Sequence, residues 1–263
     1  MAGSFLQALA EAHDWCEALG HSSVEGRHCR LVTDPEHPDV WSANHASGLR
    51  ATTPAEIDET LEDIETAYGH SRYRVVDADA FTPPAVLARL ALDGWQEHPA
   101  VILMALTGRI GPIEAPPLEF RAVESADDWS DLRRLHDLDI SEVGRASGPR
   151  SPEIAEGLFH GMVKKARSGR IFLARLDGRS CAYALAVPAP RDFGFIDDVF
   201  TDPDCRKRGV ASALVGHCVE HLRGEGCATA FLTALASDTP KRLYARLGFA
   251  PAMLARRWVK TVA

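Results

Sequence analysis

Residues 206–212, Arg-Lys-Arg-Gly-Val-Ala-Ser, set three positive charges beside a glycine where an apolar pattern of helical spacing begins. A strand running into such a segment and straight on into a helix presents several backbone N–H groups at the helix N-terminus, where the helix dipole also favours an anion. Gly209 lets a ligand approach the main chain closely, and Ala211 is small for the same reason. Arg206 and Arg208 add charge-assisted bonds, and the main chain of Lys207, Val210 and Ser212 completes the loop. The set suits a diphosphate. Neither the G-x-x-x-x-G-K-[ST] spacing nor G-x-G-x-x-G is present, and a solvated basic helix start is the alternative on the loop alone.

The surrounding pattern shows what must hold this loop. Ser125–Asp139 and Ser151–Gly169 each begin with serine and acids and carry apolar residues at helical spacing, which predicts two helices. Residues 170–188 read as a hairpin turning at Asp177-Gly178, and Asp192–Pro203 as a third strand. The helix after the loop places Val210, Ala213, Leu214, Cys218 and Leu222 on one face and stops near Gly224-Glu225-Gly226. A strand (227–237), a helix (238–248) and a last strand (255–262) follow. The order ααβββαβαβ is a mixed α/β domain. Glycines and prolines between Thr107 and Phe120 predict a linker over 108–117, dividing the chain into 1–107 and 118–263.

The segment Phe195–Val215, followed some thirty residues later by Ser-Asp-Thr-Pro-Lys-Arg-Leu-Tyr-Ala-Arg-Leu-Gly-Phe (237–249), resembles the two signature segments of the GNAT acetyltransferase superfamily. The resemblance covers roughly Leu118 to Ala263. It implies the acyl-CoA N-acyltransferase fold, a catalytic N-acetyltransferase domain over 118–263, and acetyl-CoA as co-substrate. The family pattern R/Q-x-x-G-x-G/A is met by Arg206, Gly209 and Ala211, whose amides would hold the pyrophosphate. By the same resemblance Val199, Phe200 and Thr201 would pair their backbone with the pantetheine arm.

Acetyl transfer from a thioester to an amine needs a neutral amine, a donor for the oxyanion and an acid for the departing thiolate. Tyr244 matches the family's tyrosine beside the sulfur, and a phenol can donate there while staying neutral at pH 7. A half-buried helix aromatic is the plainer role for it. The Val199 N–H is the family's usual oxyanion contact. Asp197 and Asp198 lie on the strand facing the expected cleft, and only one reaches a substrate unless a bulge intervenes. Asp198 is favoured as base; the alternative, that one carboxylate orients the amine or a water and the other is structural, stays open. Where family members commonly carry Asn seven residues before the tyrosine, this chain has Ser237, so that contact to CoA is weakened or remade by Asp238.

Upstream, residues 72–79, 82–95 and 100–106 repeat strand, helix, glycine-aromatic and strand, so that Gly94-Trp95 stands where Gly248-Phe249 stands later. Leu90 then occupies the place of Tyr244. The preceding helix has Thr53 as N-cap, Pro54 in its first turn and Glu56 closing a capping box, and it carries Asp58, Glu59, Glu62, Asp63 and Glu65. Such a surface repels a diphosphate. The upstream half therefore looks like a degenerate GNAT-like lobe that walls the acceptor cleft, with stability or homodimer formation as alternatives.

Composition sets the outer bounds. A net charge of −8 over 263 residues excludes a general nucleic-acid binder, and no apolar run approaches a membrane span. Six cysteines without a C-x-x-C pair read as reduced thiols, and the N-terminus lacks a basic leader region, which together predict a cytoplasmic protein. His217 and His221 at i, i+4 lack the adjacent glutamate of a zinc-protease helix, and His136 and His160 complete no set with them, so no metal is expected. Cys205 has no histidine nearby in sequence to activate it. The expected reaction is direct acetyl transfer to an amine, a small molecule or a peptide; a non-catalytic acyl-CoA-binding or regulatory module is the alternative.

Overall fold

The computed structural model describes residues 2–147 and 150–262. In chain order its elements are α1 (Ala2–Ala18), β1 (Ser22–Glu25), β2 (Arg30–Thr33), β3 (His45–Ser47), α2 (Pro54–Ala67), β4 (Tyr73–Ala78), α3 (Pro84–Leu92), β5 (Gln96–Glu97) and β6 (Val101–Leu106). Then come β7 (Glu119–Ala122), α4 (Ala126–Ser147), α5 (Pro152–Lys165), β8 (Arg170–Leu176), β9 (Arg179–Ala189), β10 (Phe193–Thr201), α6 (Val210–Gly224), β11 (Thr229–Leu235), α7 (Pro240–Arg246) and β12 (Ala250–Thr261). Internal contacts divide the chain into two units, Met1–Leu103 with Ala234–Asp238 and Ala252–Ala263, and Met104–Thr233 with Thr239–Pro251. Among the described residues no helix is long and apolar enough to cross a membrane.

In the first unit, β1, β2 and β3 are antiparallel neighbours, β3 pairs β4 in parallel, and β4 pairs the final residues of β12 antiparallel. Leu31, Leu49, Ile57, Ile64, Tyr68, Val76, Leu90 and Trp258 form its core. The loop ahead of α2 closes as its sequence requires. Thr53 accepts from the Glu56 N–H, and the Glu56 carboxylate accepts from the N–H groups of Thr52 and Thr53 and from the Thr52 hydroxyl. These three bonds hold the Glu56 carboxyl down at about 2, the Thr52 N–H contributing most.

In the second unit, β7, β8, β9 and β10 are antiparallel neighbours and β10 pairs β11 in parallel. The β8–β9 hairpin turns through Asp177 and Gly178, both with positive φ (51° and 81°), the twist that two-residue hairpins favour. A Cβ on Gly194 of β10 would meet Leu222 of α6, so that face of the strand lies under α6. The opposite face meets α4 and α5 through Tyr183 and Asp197. Leu132, Leu135, Leu173, Leu185, Phe195, Leu214, Cys218 and Phe231 fill the space between.

The order differs from expectation in three places. Strand β7 precedes the two helices, because residues 119–122 pair with the edge of β8, a long-range contact with no local signature. Helix α4 runs on to Ser147, past Asp139. Strand β12 starts at Ala250 rather than Ala255. The two glycine-aromatic helix ends share one geometry: Trp95 N–H bonds the Leu90 carbonyl and Phe249 N–H the Tyr244 carbonyl, each at 3.0 Å, over Gly94 and Gly248 at positive φ.

Candidate active site

The loop between β10 and α6 is anchored before it turns. Asp202, nearly fully buried, accepts from Arg179 at 2.8 Å and from the Asp204 N–H, and lies 3.6 Å from Arg134. Its own N–H bonds the Cys181 carbonyl. From this anchor the chain passes through Lys207 (φ 60°) and Gly209 (φ 81°) and enters α6. Gly209 is the N-cap and supplies no side-chain bond to the first amides of α6, in contrast to α2 and to α5, where Ser151 accepts from the Ile154 N–H. Lys207, Arg208 and Arg206 are exposed, Val210 is buried, and Ala211 and Ser212 are half-buried on the first turn. Arg206 is not loose: it pairs through both terminal nitrogens with Glu142 of α4, and its Nε donates to the Thr201 carbonyl at 2.9 Å.

The space beside Gly209 is occupied by the chain itself. A Cβ there would overlap the Glu114 carbonyl, and a Cβ on Gly216, two turns along α6, would meet Ile113. Residues 110–115, read from sequence as a linker, thus run along α6 to its first residue. Gly111 packs in turn against the Arg246 carbonyl at the end of α7.

Just upstream the β10 strand changes register. Asp197 faces Leu185 of β9, but Phe200 faces Tyr183, so one extra residue is inserted between them. Asp198 absorbs it with φ 51°. The parallel register with β11 runs from Phe193 opposite Thr229 to Ile196 opposite Leu232 and stops there. The main chain of Val199, Phe200 and Thr201 therefore lies beyond the parallel ladder, directly ahead of the loop. The Thr201 hydroxyl is buried with no hydrogen-bond partner among the described residues.

The two predicted carboxylates have different surroundings. Asp197 is ion-paired with Lys165 of α5 at 3.0 Å, the side chains being 19% and 11% exposed. Asp198, at the bulge, is exposed. Sequence reading missed a third carboxylate, Asp139, on the inner face of α4. It accepts from the hydroxyl of Tyr183, a fully buried phenol of β9, at 3.1 Å. Burial raises the Asp139 carboxyl, while the Tyr183 bond opposes the rise. Burial, reinforced by Asp139, Asp198 and Asp197, lifts the Tyr183 phenol well above its ordinary range, so it stays a neutral donor.

Tyr244, on α7, is buried edge-on to Phe249, with ring centroids 6.3 Å apart. Ser237 is exposed and falls in the first unit. His217 stacks on Phe120, and His217 and His221 both meet Phe172 edge-on. Burial lowers both imidazoles, which makes them neutral packing rings. Cys205 is buried and unpaired by disulfide.

An antiparallel set leading into one parallel pair that parts at a bulge ahead of a helix whose cap residue is a glycine is the fold of the GCN5-related N-acetyltransferases. The solved structures agree. A GCN5-related N-acetyltransferase from Kribbella flavida superposes with a TM-score of 0.73 at 20% identity, covering 97% of this chain and 95% of that one. A functionally unknown conserved protein from Staphylococcus epidermidis gives 0.68 at 14% identity over 92% and 95%. A tandem GNAT protein from the clavulanic acid biosynthesis pathway gives 0.58 at 15% identity over 88% and 78%. No curated protein matches the sequence. Residues 129–249 match the family described as Acetyltransferase (GNAT) family.

Proposed function

We propose that the protein is an N-acetyltransferase that moves the acetyl group of acetyl-CoA directly onto the amine of a small molecule or peptide. The observation that carries this reading is the end of parallel pairing at Ile196, at the Asp198 bulge, shortly before an α6 N-terminus whose cap residue is a glycine. The main chain of 199–201 pairs with the pantetheine arm, and the amides of 207–212 with Lys207 and Arg208 hold the diphosphate. Val199 N–H receives the oxyanion, and Tyr244 protonates the departing thiolate. The reaction calls for no metal, and we place it in the cytoplasm.

Residues 1–107 form a degenerate lobe without an acyl-CoA site, a reading supported by the Glu56 carboxylate seated on the amides ahead of α2. One site per chain is the expected stoichiometry in a calorimetric titration with acetyl-CoA, and two equivalent sites overturn it. A thiol-release assay over a panel of amines tests the reaction. Turnover supports transfer; tight binding of acetyl-CoA with no thiol release from any amine supports a non-catalytic acyl-CoA-binding module instead.

A further inference from the structure

We propose that Asp139, held by Tyr183, is the base that removes the proton from the acceptor ammonium, in place of Asp197 or Asp198. The proposal rests on the N-acetyltransferase reading above.

Its ground is the geometry around the β10 bulge. A base must stand beside the point where the thioester meets the amine, must keep an unshared carboxylate, and must be oriented. Asp197 fails the second requirement, because Lys165 takes its carboxylate at 3.0 Å in a largely buried pair. Asp198 is the inserted residue of the bulge and is exposed to solvent, whereas Asp139 is half-buried. Asp139 meets all three. Tyr183 stands opposite Phe200 in the β9–β10 register, one residue beyond Val199, and its hydroxyl reaches Asp139 at 3.1 Å. That bond fixes one carboxylate oxygen and leaves the other unshared by it. No cationic side chain pairs with Asp139 at ion-pair distance among the described residues; the nearby Arg206 is engaged by Glu142.

The charged groups that act on the dyad come from α4, from β10 and from the segments at Arg150 and Arg206. Glu142 of α4 raises the Asp139 carboxyl, Arg150 and Arg206 lower it, and burial outweighs them. Asp197 and Asp198 of β10 act on Tyr183. The outcome is a carboxylate more basic than usual beside a phenol that keeps its proton, a pair suited to accepting a proton from an ammonium ion near neutral pH.

The proton balance closes. The first ammonium proton passes to Asp139 and on to solvent. The free amine attacks the thioester carbonyl, forming the C–N bond. As the C–S bond breaks, Tyr244 gives its proton to sulfur, and one of the two protons still on the nitrogen restores the tyrosine, the other staying on the amide. The net result is one amide, one thiol and one released proton.

The test compares wild type, Asp139→Asn, Asp139→Glu and Tyr183→Phe in the thiol-release assay, each beside a calorimetric titration with acetyl-CoA and a thermal unfolding scan. Asn keeps the volume and still accepts from Tyr183. The expected result for Asp139→Asn is a loss of kcat/KM on the order of 10²-fold or more at pH 7, shrinking at high pH where the amine loses its proton unaided, with acetyl-CoA affinity unchanged. Asp139→Glu should recover part of the rate. Tyr183→Phe should move the acidic limb of the pH profile upward, because it removes the bond that holds the carboxyl down. A full-rate Asp139→Asn enzyme, or one whose loss is the same at every pH, overturns the assignment and leaves acetyl transfer standing. Absence of thiol release by wild type with every amine overturns both.

Discussion

The main chain of Glu114 passes so close to Gly209 that a Cβ on the glycine would overlap the Glu114 carbonyl oxygen. Gly209 also sits at φ 81°, where an L side chain is strained. Sequence reasoning gave this glycine to a ligand; its nearest neighbour is the chain's own segment. Gly209→Ala should therefore destabilise by about 2 kcal/mol or more, visible as a drop on the order of 5 °C in Tm. Gly224→Ala, in the last turn of α6 with nothing near its Cβ, should raise stability by about 0.5–1 kcal/mol. Equal Tm values for the two variants would remove the strap from the account.

Lys165 and Asp197 form a largely buried ion pair. Removing one partner strands the other charge, so Lys165→Met and Asp197→Asn should each cost about 1–3 kcal/mol, while the double variant costs less than their sum. Denaturant unfolding of all four proteins gives the coupling, and strict additivity would mean that the pair contributes nothing.

Tyr244→Phe keeps the ring that packs on Phe249 and removes one hydroxyl. If that hydroxyl protonates the thiolate, kcat should fall on the order of 10²-fold with acetyl-CoA affinity unchanged. A parallel loss of affinity would make Tyr244 a positioning residue.

Glu56 titrates near 2 in the folded chain against an ordinary 4.5. A carboxyl depressed on folding contributes stability that is present above about 4.5 and is lost as pH falls toward 2. Glu56→Gln should lower the denaturation midpoint at pH 6 and differ less from wild type at pH 3, measured by urea unfolding at both values. An equal difference at both pH values would contradict the depressed value.

All six cysteines are buried and none is in a disulfide. Burial pushes Cys29 and Cys218 up to about 12. A disulfide exchange reagent should therefore react slowly with the native protein and titrate all six thiols in denaturant. Fast native labelling of Cys218 would show that α6 opens from its sheet.

Much of this was legible because the signals are local. The capping box at Thr53–Glu56, the Asp177-Gly178 turn, the glycine-aromatic helix ends and the apolar face of α6 each follow from residues within a few positions of one another. What was not legible depends on distant partners. Lys165 and Asp197 are 32 residues apart, and Tyr183 and Asp139 are 44 apart. Arg206 reads as a phosphate ligand until Glu142, 64 residues earlier, is found against it. The β10 bulge has no composition of its own, since Asp198 takes a conformation that glycine or asparagine would have advertised.

That bulge puts β10 half a pleat out of phase with itself. Three residues apart on an unbroken strand, Asp197 and Phe200 would point to opposite faces; here both lie on the side of α4 and α5, and Thr201 falls on the other face with its hydroxyl buried. Residues 199–201 are thus presented to the opposite faces from those that simple alternation assigns. The aim of the loop is a matter of parity, set by the count of residues rather than by their identity. Deleting one residue at 198 reverses it, whereas no single substitution there changes the count.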